Sequence, residues 1–169
     1  MHIKCRFCAG YYLIRILSMT YYISLGANLG EREQTLRRAI QMIEQQVGSV
    51  RRCSSFFYSA PWGFTSENDF CNLCCAVETN KSPLDVLSLT QAIERALGRK
   101  KKSVIANPES VIDNRKSIIY SDRSIDIDII RLFDGRKELF VDLPELHIPH
   151  PLWTQREFVK VPLAEIMHL

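Results

Sequence analysis

Asp126 and Asp128, in the run Arg123-Ser124-Ile125-Asp126-Ile127-Asp128-Ile129-Ile130, have the spacing most suited to chemistry in this chain. Alternate residues of an extended strand share a face, so both carboxylates project from one side while Ile125, Ile127 and Ile129 enter a core on the other. Two anionic oxygen donors a few ångströms apart suit one or two magnesium ions. Arg123 stands close enough to meet phosphates held by such ions. An Asp-x-Asp strand is also a common solvated outer face, and the residues around this one decide between the two.

Two further stretches bear on that choice. The segment 99–118 holds Arg99, Lys100, Lys101, Lys102, Arg115 and Lys116. It is too long for a plain connector in a compact domain and reads as a lid or a disordered stretch; a basic lid facing carboxylate-bound metal suggests a triphosphate. A solvated charge run is the plainer alternative. In Phe70 to Val77, Cys71, Leu73, Cys75 and Val77 share an apolar face, and Phe70 and Asn72 share the other. An aromatic beside an amide can stack on a flat heterocycle and read its edge, although Phe70 as a rim residue of the core is equally compatible.

The elements that must position these groups follow from periodicity. A strand over Tyr21 to Leu25 ends at Gly26-Ala27-Asn28-Leu29-Gly30; Leu36, Ile40, Ile43 and Val47 then recur at helical spacing up to Gly48. A second strand is expected from about Val50 to Tyr58, a loop over Ser59 to Asp69, and a third strand over Phe70 to Glu78. Ser82 and Pro83 start a second helix with Leu89, Ile93 and Leu97 on its buried stripe and Gly98 at its end. The Asp126 strand is the fourth, and Asp134-Gly135 turns it into a hairpin with Lys137 to Val141. The order β-α-β-β-α-β predicts an α+β, ferredoxin-like fold: a four-stranded antiparallel sheet with two packed helices, plus the extra hairpin and the long catalytic loop.

Composition narrows the class. The 169 residues fit one domain, and a net charge of +3 suits an anionic ligand without indicating a nucleic-acid partner. No apolar run is long enough for a membrane span. The six cysteines read as reduced cytoplasmic thiols rather than a disulfide framework, and Cys5-x-x-Cys8 lacks the second ligand pair that zinc requires. Residues 1–18 are expected to be an N-terminal extension outside the fold, with Met19 as the natural start and 19–169 as the domain.

The residues then resemble a known family. Tyr22-Ile23-Ser24-Leu25-Gly26-Ala27-Asn28-Leu29-Gly30, Ser54-Ser55-Phe56-Phe57-Tyr58-x-Ala60-Pro61-Trp62-Gly63, and Asp69-Phe70-x-Asn72 are similar to successive blocks of the 6-hydroxymethyl-7,8-dihydropterin pyrophosphokinases. Gln91-x-x-Glu94 with Gly98-Arg99, Arg123-x-x-Asp126-x-Asp128, Ile148-Pro149-His150-Pro151, and Arg156-x-Phe158-Val159 with Pro162-Leu163 continue the likeness in order. The resemblance runs from Tyr21 to the C-terminus. It departs at Tyr120, Ser121 and Asp122, where tryptophan, glycine and proline are common in the family, and at Ala60, where threonine is common.

The resemblance implies an ATP-dependent transferase of folate biosynthesis that moves the β,γ-pyrophosphoryl group to the pterin's hydroxymethyl oxygen and releases AMP. Asp126 and Asp128 would hold two magnesium ions, and Arg99 and Arg123 would be the catalytic arginines. Gln91, Glu94, Lys101, Ile129, His150 and Arg156 match ATP-binding positions. Phe70 and Phe158 would sandwich the pterin, with Asn72 and the segment Ala60, Pro61 and Trp62 reading its edge. Away from the resemblance, Gln91 and Glu94 read as ordinary polar residues of a helix face, and His150 as a structural histidine. The implied partners are small molecules and, by pathway, neighbouring folate enzymes, with neither nucleic acid nor membrane. A ferredoxin-like nucleotide or nucleic-acid binding module without catalysis is the alternative; it leaves the two aspartates without a purpose.

Overall fold

The computed structural model describes residues 18–99 and 121–167. The expectations for the N-terminal extension, for Cys5 and Cys8, and for Lys101 and the rest of the basic loop after Arg99 lie outside those residues.

The chain runs β1 (Met19–Ala27), α1 (Arg32–Gln46), β2 (Ser49–Cys53), β3 (Phe57–Ser59), β4 (Phe70–Thr79), α2 (Pro83–Ala96), β5 (Asp126–Asp134), β6 (Lys137–Leu139), β7 (Val141–Leu143), β8 (Leu146–Ile148), a 3-10 turn at Trp153–Gln155, and α3 (Glu157–Ile166). It is an α+β fold. Its main sheet has the order β2-β4-β1-β5-β6 with β3 also on β4, and its paired strands are antiparallel. Strands β7 and β8 form a separate two-stranded sheet.

Alternation puts Tyr21, Ile23, Leu25 and Ala27 of β1 on one face with Cys71, Leu73, Cys75 and Val77 of β4 and Ile127 and Ile129 of β5. Leu36, Ala39 and Ile43 of α1 and Val86 and Ile93 of α2 cover that face. Each of the leucines, isoleucines and valines among them stabilises the fold by roughly 1.5–3 kcal/mol on leaving water. Helix α2 starts as expected, with Ser82 accepting from the Asp85 amide at 3.3 Å and Pro83 in its first turn. Its buried line is Val86, Thr90, Ile93 and Glu94, so Leu89 and Leu97 are only half-buried against the core. Gly48 follows α1 without a positive φ. A Cβ there would lie 2.4 Å from the Glu78 carbonyl oxygen, so close approach to β4 is what requires glycine.

The sheet has six strands rather than four, and a third helix accompanies the two expected. The expected strand Val50 to Tyr58 breaks over Ser54–Phe56 because side chains take over the ladder there. Ser54 donates its amide to the Cys74 carbonyl at 2.9 Å, while its hydroxyl accepts from the Cys74 amide. Ser55 gives both its amide and its hydroxyl to Glu165 of α3. The hairpin turn forms at Gly135, with φ 58°, but β6 ends at Leu139 and the chain leaves the main sheet at the exposed Phe140.

Helix α3 packs on the opposite face, where Val159, Leu163 and Ile166 meet Cys74, Ala76 and Ile130. Ile130 faces that side, and a bulge in β5 falls on it: Ile129 pairs with Ile23 and Arg131 with Tyr22, leaving Ile130 unmatched. The bulge turns the strand so that Leu132, three residues after Ile129, returns to the first core. Its freed carbonyl accepts from the His150 amide at 2.9 Å, which draws the chain after the cis Ile148–Pro149 bond toward the Asp126 end of the strand.

Candidate active site

Because α3 covers only part of the second face, the rest is the floor of a cleft of about 720 Å³. On that floor Ser24 lies opposite Asp128 in register, and Gly26 lies between Asp126 on one side and Asn72 on the other. The carboxylates therefore stand on the same face as Asn72 and Phe70, as the alternation predicts. Gly26 provides room for this arrangement: a Cβ on it would sit 2.7 Å from Asn72 Oδ1. The Asn72 amide is set by donating to the Phe57 carbonyl at 3.2 Å and to Ser59 Oγ at 3.1 Å, and the side chain lines the cleft.

Cations converge on the carboxylates. Arg99 reaches Asp126 Oδ1 at 2.5 Å and also pairs with Glu94, while Arg123 pairs with Asp126 Oδ2. Arg156 comes within 3.7 Å of Asp128. Glu94 is 3% exposed and also accepts from the Ile127 amide at 2.8 Å, so it fastens the end of α2 to β5 and holds Arg99 over the floor. Burial at the cleft floor, followed by the neighbouring Asp126 carboxylate, pushes the Asp128 carboxyl upward, while Arg156 opposes that. A cation brought to this pair would relieve the repulsion.

His150 and Arg156 form one wall. The Leu152 amide donates to His150 Nδ1 at 3.2 Å, which places the ring proton on Nε2. Burial, then the positive charge of Arg156, lowers the His150 pKa to about 4 and keeps the ring neutral at physiological pH. The aromatic wall includes Trp62 edge-on to Phe158 with centroids 6.5 Å apart, and Phe64 edge-on to Phe70 at 6.2 Å. The Arg156 guanidinium lies 5.0 Å from the Trp62 ring centroid, and that of Arg123 lies 5.5 Å from the Phe70 centroid.

Thirteen of the residues singled out from sequence line this cleft: Ala60, Trp62, Phe70, Asn72, Glu94, Arg99, Arg123, Asp126, Asp128, Ile129, His150, Arg156 and Phe158. Pro61 and Gln91 do not. Sequence reasoning gave no role to Ser24, Gly26, Phe64, Leu87, Leu146 or Leu152, which also line it. Asn28 was missed as well. It is 3% exposed, its Oδ1 accepts from the Arg123 backbone amide at 2.8 Å, and its own backbone N–H donates to the Arg123 carbonyl at 3.1 Å. An asparagine between Gly26 and Gly30 was the available signal.

Residues 22–168 match the family model of 7,8-dihydro-6-hydroxymethylpterin-pyrophosphokinase. The chain belongs to this family. A Porphyromonas gingivalis 2-amino-4-hydroxy-6-hydroxymethyldihydropteridine pyrophosphokinase is 41% identical over 145 residues, covering 86% of this chain and 88% of that one. The Bacillus subtilis protein of the same description is 33% identical over 146 residues, covering 86% and 76%. The bifunctional protein FolKE of Lactococcus lactis is 32% identical over 149 residues, 88% of this chain but 37% of its own length. Each pyrophosphokinase block read from the sequence has a described place. The Gly26 turn, Phe70 with Asn72, and the Arg123 to Asp128 signature lie side by side on β1, β4 and β5, while the His150 and Arg156 blocks rise beside them.

Proposed function

We infer that this chain transfers the β,γ-pyrophosphoryl group of ATP to the hydroxymethyl oxygen of 6-hydroxymethyl-7,8-dihydropterin, giving the pterin diphosphate and AMP. The observation that carries the reading is the convergence of Arg99, Arg123 and Arg156 on the Asp126 and Asp128 carboxylates within one cleft. It agrees with family membership and with the relatives named as pyrophosphokinases.

The donor set suits magnesium. Among the described residues no group of three or more His, Cys, Asp or Glu gathers as a metal cage. Magnesium, however, is commonly held by one or two carboxylates together with substrate phosphates and water. Asp126 and Asp128 would hold two such ions, which supply charge neutralisation on the triphosphate and acidify the attacking hydroxyl. Arg99 Nε is buried with no hydrogen-bond partner among the described residues, as fits a side chain shaped for an anion.

The protein's own groups account for the rest. Arg99 and Arg123 move from Asp126 to the phosphoryl oxygens and stabilise charge as the pterin oxygen attacks the β phosphorus and the bond to the α-phosphate oxygen breaks. Neutral His150 offers Nε2–H, and Arg156 a guanidinium, to phosphate oxygens. Phe70 and Phe158 enclose the pterin ring, and Asn72 reads its edge. The apolar side chains of Leu87, Ile129, Leu146 and Leu152 provide the drier lining for the nucleotide.

The same reading takes residues 19–169 as the catalytic domain and the fold as ferredoxin-like. The order β2-β4-β1-β5, with α1 and α2 on one face, supports that fold. Free Cys53, Cys71, Cys74 and Cys75 suit a reducing cytoplasm, and among the described residues no helix is long and apolar enough to cross a membrane. The FolKE relative, a bifunctional protein, supports folate-pathway neighbours as partners. Phosphorus NMR of the protein with magnesium-ATP and hydroxymethyl-dihydropterin tests the reaction. AMP with a pterin diphosphate is expected, and ADP would overturn attack at the β phosphorus.

A further inference from the structure

We propose that Asp122 is a positioning residue that couples the loop on the pterin side of the cleft to the aim of Arg123. The inference rests on the role given above to Arg123. Asp122 Oδ1 accepts from Asn28 Nδ2 at 2.7 Å and Oδ2 accepts from Asn68 Nδ2 at 3.2 Å; the Ser66 hydroxyl also bonds to this carboxyl. These bonds, with Ser66 and then Asn28 contributing most, hold the group below the usual carboxylate range, so it is ionised and acceptor-only at neutral pH. One side chain thereby joins three segments: the turn after β1, the loop between β3 and β4, and the approach to β5.

The consequence for Arg123 comes through the backbone. Asn28 clamps the Arg123 amide and carbonyl and also donates to the Asn68 carbonyl at 3.3 Å. With its main chain fixed on both sides and its Nε donating to the Ser121 carbonyl at 3.2 Å, Arg123 can turn its guanidinium tip from Asp126 toward a phosphoryl oxygen from one set position. The loop that supplies Ser66 and Asn68 also carries Trp62 and Phe64 into the cleft. Movement of that loop as the pterin enters is transmitted through Asp122 to the residue directly after it. Asp122 itself is exposed, so these surface bonds add little to stability. Their effect falls on geometry, where a displacement of about 1 Å in a reacting group can cost as much as a hundred-fold in rate.

The test uses Asp122→Ala, Asn68→Ala and the double variant, with single-turnover AMP formation, equilibrium binding of magnesium-ATP and thermal unfolding measured for each. Asp122→Ala is expected to slow single turnover by about ten-fold or more while leaving ATP affinity within about two-fold and the melting temperature nearly unchanged. The double variant should be no slower than the slower single variant, because both break the same link. Asp122→Asn, which keeps one acceptor oxygen, should fall between wild type and Asp122→Ala. A wild-type rate in Asp122→Ala, or losses that multiply in the double variant, overturns the coupling while leaving the reaction assignment standing. Absence of AMP from the wild-type protein removes both.

Discussion

Replacing Glu94 separates a strut from a nucleotide ligand. The Glu94 side chain is 4% exposed and that of Arg99 9% exposed, and the carboxylate both pairs with Arg99 and accepts from the Ile127 amide. Glu94→Gln keeps an acceptor for Ile127 but withdraws the charge. Arg99 retains Asp126, so the expected loss is about 1.5–3 kcal/mol, the scale of a hydrogen bond to a charged group. Glu94→Ala also strands the buried Ile127 N–H, and the total should approach 3–5 kcal/mol, as for breaking a buried ion pair. For a domain of this size that is a fall of about 10 °C in melting temperature. Urea unfolding with an unchanged m-value reads the stability, and calorimetric titration with magnesium-ATP reads binding. Both variants should lose stability and turnover with little change in nucleotide affinity. A Glu94→Ala protein that loses less than about 1 kcal/mol yet binds ATP markedly more weakly would refute the strut and make Glu94 a direct ligand.

Other perturbations read other parts of the cleft. Asp128→Asn should abolish turnover while leaving stability at neutral pH equal or raised, because the ionised carboxylate sits against burial and Asp126; a clear drop in melting temperature would contradict that. For His150 the folded pKa, about 4, lies below the ordinary 6.5, so the neutral ring favours the fold. That stability is fully present above pH 6.5 and is lost as pH falls toward 4, by up to about 3 kcal/mol, and His150→Gln should flatten that part of the pH–stability curve. Gly26→Ala would drive a methyl group to 2.7 Å from Asn72 Oδ1 and should weaken pterin binding by roughly ten-fold without changing ATP affinity. Equal effects on both substrates would show a collapsed floor instead.

Much of the site was legible because it is built on alternation. Asp126 and Asp128 against Ile127 and Ile129, and Phe70 and Asn72 against Cys71 and Leu73, sort to opposite faces from the two-residue period alone. The start of α2 was equally readable from Ser82 and Pro83. What escaped is what depends on distant partners. The break at Ser54–Phe56 exists because Glu165, 110 residues away, takes the Ser55 amide. Helix α3 contains Pro162, which argues against a helix locally; burial of Val159, Leu163 and Ile166 on the sheet outweighs that preference. Glu94 occupies a helical position that reads as polar surface, yet it is buried because Arg99 and the Ile127 amide satisfy it. Asn28 gave no periodic signal, since its role is a clamp between loops.

The bulge at Ile130 gives β5 a spare residue. The matches on either side, Ile129 with Ile23 and Arg131 with Tyr22, are successive steps along β1, so excising Ile130 leaves both in place. The shortened strand would keep Asp126 and Asp128 facing the cleft and Leu132 facing the core. It would forfeit the carbonyl that anchors His150 and the Ile130 seat beneath α3. The carboxylate floor and the His150 wall thus hang on the same strand yet can be uncoupled by a one-codon deletion, whereas an equal deletion between Asp126 and Ile129 would consume the slack and shift the carboxylates themselves. Length changes in this strand therefore sort by which side of Ile130 they fall on, a tolerance set by one unpaired residue and invisible to substitution scanning.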